Sequence, residues 1–160
     1  VEMVDPIRRS QVGMSSAVCL WGSEVIVEEK PVEEKVLTEI ETILVVDDEK
    51  SNTTVMGEIL ESLGYRVLIA GSGQEAIAVY MEKGKEVDLV LLDMIMPGMG
   101  GGRTFDALRS INPGVKVILS SGCSADGETR QIIDRGCNGF IQKPFRIADI
   151  TGMIRKVIEK

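Results

Sequence analysis

Four short stretches of this chain carry side chains that could act together on a charged group. Asp47-Asp48-Glu49 follows the apolar run Ile43–Val46, and Asp93 follows Leu89–Leu92. Ser120-Ser121-Gly122 closes a third apolar run, and Lys143-Pro144-Phe145 follows a fourth. Taken singly, an acidic pair after such a run reads as a turn or a helix cap, and a lysine reads as a solvated surface charge. Gathered in one place they have a chemistry. Three carboxylates repel, and at least one must take up a proton unless a cation is present. Mg²⁺ suits a site of a few carboxylates and several retained waters, completed by phosphate oxygens. A hydroxyl donor and a fixed ammonium added to that set make a receptor for a phosphoryl group.

The elements that must gather them alternate regularly from Glu41 onward. Strands are predicted at Ile43–Val46, Arg66–Ile69, Leu89–Leu92, Lys116–Leu119 and Gly139–Gln142. Most are unbroken apolar runs, the pattern of a parallel sheet covered on both faces. Helix one is expected over about Ser51–Leu63, with Met56, Ile59, Leu60 and Leu63 on its buried face and Gly64 as its stop. Helix two opens with a capping box, Ser72 and Glu75, and ends near Gly84. Helix three is expected over about Thr104–Ser110, and helix four over about Gly127–Arg135, closed by Gly136. Helix five, about Ile147–Glu159, spaces Ile147, Ile150, Ile154, Val157 and Ile158 along one stripe. Such a repeat folds as a flavodoxin-like, doubly wound, five-stranded parallel sheet with five flanking helices, and ligands of such sheets sit beyond the carboxyl ends of the strands. All four stretches fall at that edge.

Composition narrows the classes further. The chain has 160 residues, 44% apolar but only 4% aromatic, so one core of Val, Ile, Leu, Met and Ala is expected. Twenty-five acids against 18 bases leave a net charge of −7, which repels nucleic-acid phosphates and anionic lipid. No direct contact with nucleic acid or membrane is expected. No apolar run approaches the roughly 20 residues of a membrane span, and Val1–Ser10 lacks a signal-peptide pattern, so a cytoplasmic protein is expected. Cys19, Cys123 and Cys137 lack metal-ligand spacing and read as ordinary thiols. Histidine is absent, so any chemistry needing it must come from a partner. Residues 1–40 read as a linker or tail around a Glu-rich stretch, Glu28–Glu41, with Val25–Val27 as a short strand candidate, and residues 41–160 as the domain.

Over residues 41–160 the sequence resembles the receiver domains of bacterial response regulators. The matching residues are Ile43-Leu44-Val45-Val46-Asp47-Asp48-Glu49, Asp93-Met94-Ile95-Met96-Pro97-Gly98, Leu119-Ser120-Ser121-Gly122 and Lys143-Pro144-Phe145. The resemblance implies that Asp93 is the nucleophile that becomes an aspartyl phosphate. It implies Mg²⁺ held by Asp48, Asp93 and the backbone carbonyl of Ile95, with Asp47 acting through a metal-bound water. It gives Ser121 and Lys143 to the phosphoryl oxygens, and Phe140 to the aromatic switch position that reshapes the face of helix four, strand five and helix five. The implied donor is a phosphohistidine on a histidine kinase or phosphotransfer domain. Also implied are a cis Lys143–Pro144 peptide and control of water access to the phosphate by Ile95 and Cys123. Two departures stand out. Gly100 replaces a frequent aspartate, so helix three is expected to lack a cap and to have a loose first turn. Ser121 replaces a more usual threonine.

Two other readings compete. A metal-dependent phosphatase or phosphotransferase working through an aspartyl phosphate needs a cap over its substrate, and no insertion is large enough. A flavin- or nucleotide-binding module needs a phosphate loop, and Gly71-Ser72-Gly73 lacks the remaining glycine of such a fingerprint. The domain is read either as a free-standing regulator or, as the favoured origin, as the terminal receiver of a hybrid histidine kinase. The Glu-rich lead-in looks like the linker of such a kinase.

Overall fold

The computed structural model describes residues 40–122 and 127–160. The strand candidate Val25–Val27 and two of the cysteines, Cys19 and Cys123, lie outside them. Five β-α units follow one another: β1 (Thr42–Val46), α1 (Lys50–Ser62), β2 (Arg66–Ala70), α2 (Gly73–Lys83), β3 (Leu89–Asp93), α3 (Gly101–Ile111), β4 (Val117–Ser121), α4 (Gly127–Asp134), β5 (Gly139–Gln142) and α5 (Ile147–Ile158). The strands form one parallel sheet in the order β2-β1-β3-β4-β5. The direction of the winding reverses between β1 and β3, which opens a crevice beyond their carboxyl ends.

Alternation along the strands divides their apolar side chains between two cores. Leu44, Leu92 and Leu119 join Phe105 of α3 and Ile132 of α4 on one face. Val45, Leu91 and Ile118 join Leu60 of α1 and Ile150 and Ile154 of α5 on the other. The central strands β1, β3 and β4 are buried throughout. The edges differ from the expected two-sided cover: Arg66 and Ile69 of β2 are exposed, and β5 is only half-buried at Gly139 and Phe140. An edge strand has one neighbour and lies beyond the reach of helices packed over the centre.

Helix ends explain the other differences. Leu63, expected on the buried face of α1, is half exposed. It is the residue after the last helical one, and Gly64, at φ 92°, turns the chain away. Ile147 likewise stands at the first position of α5 and is exposed, whereas Ile150, Ile154 and Val157 are buried. In α2 the Ser72 hydroxyl accepts from the Glu75 N–H at 3.1 Å, as expected, but the Glu75 carboxylate accepts from the Gly71 N–H at 2.7 Å, one residue before the cap.

Helix α3 starts a turn earlier than expected and is not loose. Gly100 supplies no side-chain cap, yet its carbonyl accepts from both the N–H and the hydroxyl of Thr104, at 3.1 and 3.0 Å. The Gly101 N–H donates to the Met94 carbonyl at 3.0 Å, pinning the first turn to the end of β3. At its other end α3 is clamped to α4. The Arg109 guanidinium donates to the carbonyls of Arg135 and Gly136, and Arg135 returns a short ion pair, 2.6 Å, to Asp106. Cys137, beyond α4, is half-buried with its thiol 3.2 Å from the Val117 and Gly139 carbonyls, and burial pushes its pKa up. It is an ordinary structural thiol.

Candidate functional site

Each of the four stretches ends a strand at the same edge of the sheet. Val46, the last residue of β1, pairs with Leu92 of β3, so Asp47 and Asp93 emerge side by side. Asp93 in turn pairs with Ser120 of β4, and Ser121 with Gln142 of β5. The Lys143 N–H donates to the Ser121 carbonyl at 2.7 Å, which extends the ladder by one step and sets the lysine at the mouth of the crevice. The Lys143–Pro144 peptide is cis.

Asp47, Asp48 and Asp93 each place a carboxylate oxygen so that the three atoms lie within 4.8 Å of one another. Asp47 and Asp93 are buried and Asp48 is exposed. The Lys143 ammonium sits between the buried two, 2.7 Å from Asp47 Oδ2 and 3.2 Å from Asp93 Oδ1. Burial, the largest influence, raises the Asp93 pKa; Lys143 pulls it down and Asp47 pushes it up, with a net rise. For Lys143 burial alone lowers the pKa, but its hydrogen bond to Asp47 and the charges of Asp93 and Asp47 together raise it. The site therefore carries more negative charge than its single ammonium balances. That excess, on hard oxygen ligands with one side open, fits a small divalent cation.

Ser121 is buried, on the face of the sheet covered by α3 and α4. Leu119 pairs with Phe140, and Ser121 lies two residues further along the same face, so the hydroxyl and the aromatic ring share it. Phe140 is half-buried against that core. Ile95, two residues after Asp93, is 62% exposed beside the site. Cys123 lies outside the described residues. A cleft of about 390 Å³ opens beside Asp47 and Lys143, floored by Val45 and Leu91 and walled by Val55, Met56 and Phe145. Ser120 also lines it.

One residue at the site escaped the sequence reading. The side-chain amide of Asn52, in the first turn of α1, donates to Asp47 Oδ2 at 3.2 Å and reaches Oδ1 at 3.4 Å. Its only signal is position, five residues after the first acid and on the turn that must face the strand end. Nothing in its type distinguishes it from a solvated helix-start asparagine.

An open sheet in the order β2-β1-β3-β4-β5, with acids after β1 and β3, a hydroxyl after β4 and a lysine after β5, places the molecule among the flavodoxin-like signalling domains. The sequence profile of the response regulator receiver domain matches residues 43–155, and the chain belongs to that family. It is 35% identical over 137 residues to the sensor kinase CckA of Brucella abortus, a match covering 85% of this chain and 14% of that protein. It is 33% identical over 116 residues to two-component response regulator 24 of Arabidopsis thaliana, covering 72% of this chain and 83% of that one. Among solved structures it resembles a response regulator receiver domain from Clostridium thermocellum, with a TM-score of 0.72 and 28% identity over 75% of this chain and 95% of that one. It also resembles CheY of Borrelia burgdorferi in a CheX-CheY-BeF3-Mg complex, with a TM-score of 0.71 and 25% identity over 75% and 90% of the two chains. The domain is a receiver of two-component signalling. The rival reading as a metal-dependent phosphatase or phosphotransferase working through an aspartyl phosphate is not favoured, since the profile that matches is that of the receiver domain.

Proposed function

We propose that Asp93 accepts a phosphoryl group from a phosphohistidine on a partner kinase or phosphotransfer domain. The observation that carries this is the convergence of Asp47, Asp48 and Asp93 on one point, with Lys143 shared between the two buried acids. A carboxylate oxygen of Asp93 forms the new bond to phosphorus as the bond from phosphorus to the partner's imidazole nitrogen breaks, and the imidazole leaves with that electron pair. Asp48, Asp93 and the Ile95 carbonyl would hold Mg²⁺ directly and Asp47 through a water. The cation supplies charge neutralisation for the transferred oxygens. Lys143 turns its ammonium to one phosphoryl oxygen and Ser121 its hydroxyl to another. Phe140, on the same face as Ser121, then follows toward the interior and alters the surface of α4, β5 and α5.

The cleft walled by Val55, Met56 and Phe145 gives the donor domain an apolar foothold beside the acids. The family match supports a histidine-bearing partner, and the Brucella relative favours a hybrid kinase as the parent. Its match of 137 residues is longer than residues 41–160 and so runs into the lead-in, which we read as the linker to the receiver. A cytoplasmic location accompanies this reading; among the described residues no helix is long and apolar enough to cross a membrane. Acetyl phosphate with Mg²⁺ tests the core of the proposal. Intact-mass spectrometry should show one added phosphoryl group, lost with Asp93→Asn or on chelation of the metal. Full labelling of the Asp93→Asn protein would move the acceptor elsewhere.

A further inference from the structure

Asp47 is the most heavily tethered acid of the site, and its tethers are of two kinds. One is the charged donor Lys143, at 2.7 Å, which is also within 3.2 Å of Asp93. The others are neutral: the Glu49 N–H at 2.9 Å and the Asn52 amide at 3.2 and 3.4 Å. Asn52 is itself oriented, because the Glu49 carboxylate accepts from the same Nδ2 at 3.1 Å and from the Ser51 hydroxyl at 2.9 Å. With carboxylates on two sides, the amide must present its nitrogen to both, since its oxygen would face negative charge in either direction.

We propose that Asn52 is a positioning residue for the divalent cation, holding the Asp47 carboxylate in place when the Lys143 ammonium leaves it. This rests on the reading of Asp47, Asp48 and Asp93 as the Mg²⁺ site. The two tethers differ in what they can do. Lys143 is a point charge on a flexible stem, and it cannot serve the phosphoryl oxygens and Asp47 fully at once. Asn52 is anchored in the first turn of α1 and has no charge to set against the cation. A lysine at this position would compete with Mg²⁺, and an aspartate would add a fourth repelling carboxylate while removing the donor. A short amide meets both requirements. Hydrogen-bond partners that fix the orientation of metal-ligating groups are worth about 10- to 100-fold in metal affinity. On this reading Asp47 reaches the cation only through a water, and Asn52 is exposed, which together put its share at the lower end of that range.

The experiment is a Mg²⁺ titration of the full chain by calorimetry, comparing wild type, Asn52→Ala and Asn52→Asp. Both variants should bind Mg²⁺ about tenfold more weakly, with unchanged far-UV dichroism in EDTA. Labelling by acetyl phosphate should need more Mg²⁺ for half-maximal rate but recover at saturating Mg²⁺. Wild-type affinity in Asn52→Ala would overturn the proposal. So would tighter binding by Asn52→Asp, because the cluster would then respond to charge alone. A wild type that binds no Mg²⁺ would instead sink the underlying reading of the site together with this inference.

Discussion

Gly101 lies so close to Asp93 that a Cβ on the glycine would stand 2.6 Å from the Asp93 carbonyl oxygen and 2.7 Å from the Met94 Cα. Both neighbours are backbone at the end of β3, where neither can turn aside. The missing side chain is what lets the start of α3 close on the strand that carries the central acid.

Replacing Gly101 with alanine should therefore push α3 off β3. We expect a loss of about 2–3 kcal/mol, toward the upper end of overpacking costs, read as a lower urea midpoint at an unchanged slope. Gly100→Ala, whose Cβ meets nothing closer than 3.5 Å, is the control and should cost far less.

Asp93→Asn should stabilise the metal-free domain at neutral pH. Burial raises the Asp93 pKa above the ordinary 3.8 despite Lys143. A raised folded pKa means that this group's contribution is fully present below the unfolded value and is lost as pH rises through the folded one. At pH 7 in EDTA the ionised acid is thus a net cost. The variant should melt higher, by roughly 4 °C if the cost is about 1 kcal/mol. The difference should shrink on acidification and again on adding Mg²⁺ to the wild type. A variant that melts lower than wild type in EDTA would show that the pairing with Lys143 outweighs burial.

Lys143→Met should act in the opposite direction. Its ammonium is the only cation bonded to the buried acids among the described residues, and removal leaves Asp47 and Asp93 to repel. Breaking a fully buried pair costs about 3–5 kcal/mol; with the lysine side chain 27% exposed, roughly 2 kcal/mol is the expected loss at pH 7. The Lys143 pKa is raised above 10.5, so its contribution holds below that pH and fades as pH climbs through the folded value. Urea unfolding of both proteins at pH 7 and above pH 10.5 should show the gap narrowing in base.

The lifetime of the phosphoryl group should depend on Ile95. On the proposed function, an apolar side chain beside Asp93 would exclude water from the line of attack. The double variant Ile95→Asn, Cys123→Glu offers groups that orient a water, and should lose phosphate about tenfold faster, a barrier change of about 1.4 kcal/mol. Phosphate release after donor removal, measured in Mg²⁺, decides it; equal rates would exclude these two side chains from control of water.

The strands and the acids at their ends were legible because they share one cause. Short apolar runs such as Leu89–Leu92, set between longer helical stretches, fit central parallel strands, and a polar residue at their carboxyl end falls at the ligand-binding edge. Gly64 and Gly136 were legible as helix stops, and both adopt positive φ, 92° and 101°. The early start of α3 was not. It depends on Gly101 closing on the end of β3 across the loop between them, and three glycines in a row, Gly100 to Gly102, read locally as loop. Leu63 and Ile147 were misplaced because a helical stripe continues on paper past the residue where the helix ends. Asn52 was missed because its role exists only in relation to Asp47 across the strand-helix turn.

Lys143 and Asp47 are 96 residues apart, and that separation bears on how the domain is made. The acids emerge first during synthesis and their counter-ion last, after all five strands. Contacts of such long sequence separation form late, since the loop entropy must be met before they contribute. Until β5 docks against β4 the carboxylates have no ammonium between them, and the phosphoryl pocket proposed here lacks one wall. On that proposal, a nascent or truncated chain would have Asp93 without the means to use it. Competence to take up phosphate would then require completed folding, and an unfinished copy would not draw phosphate from a donor meant for the finished one.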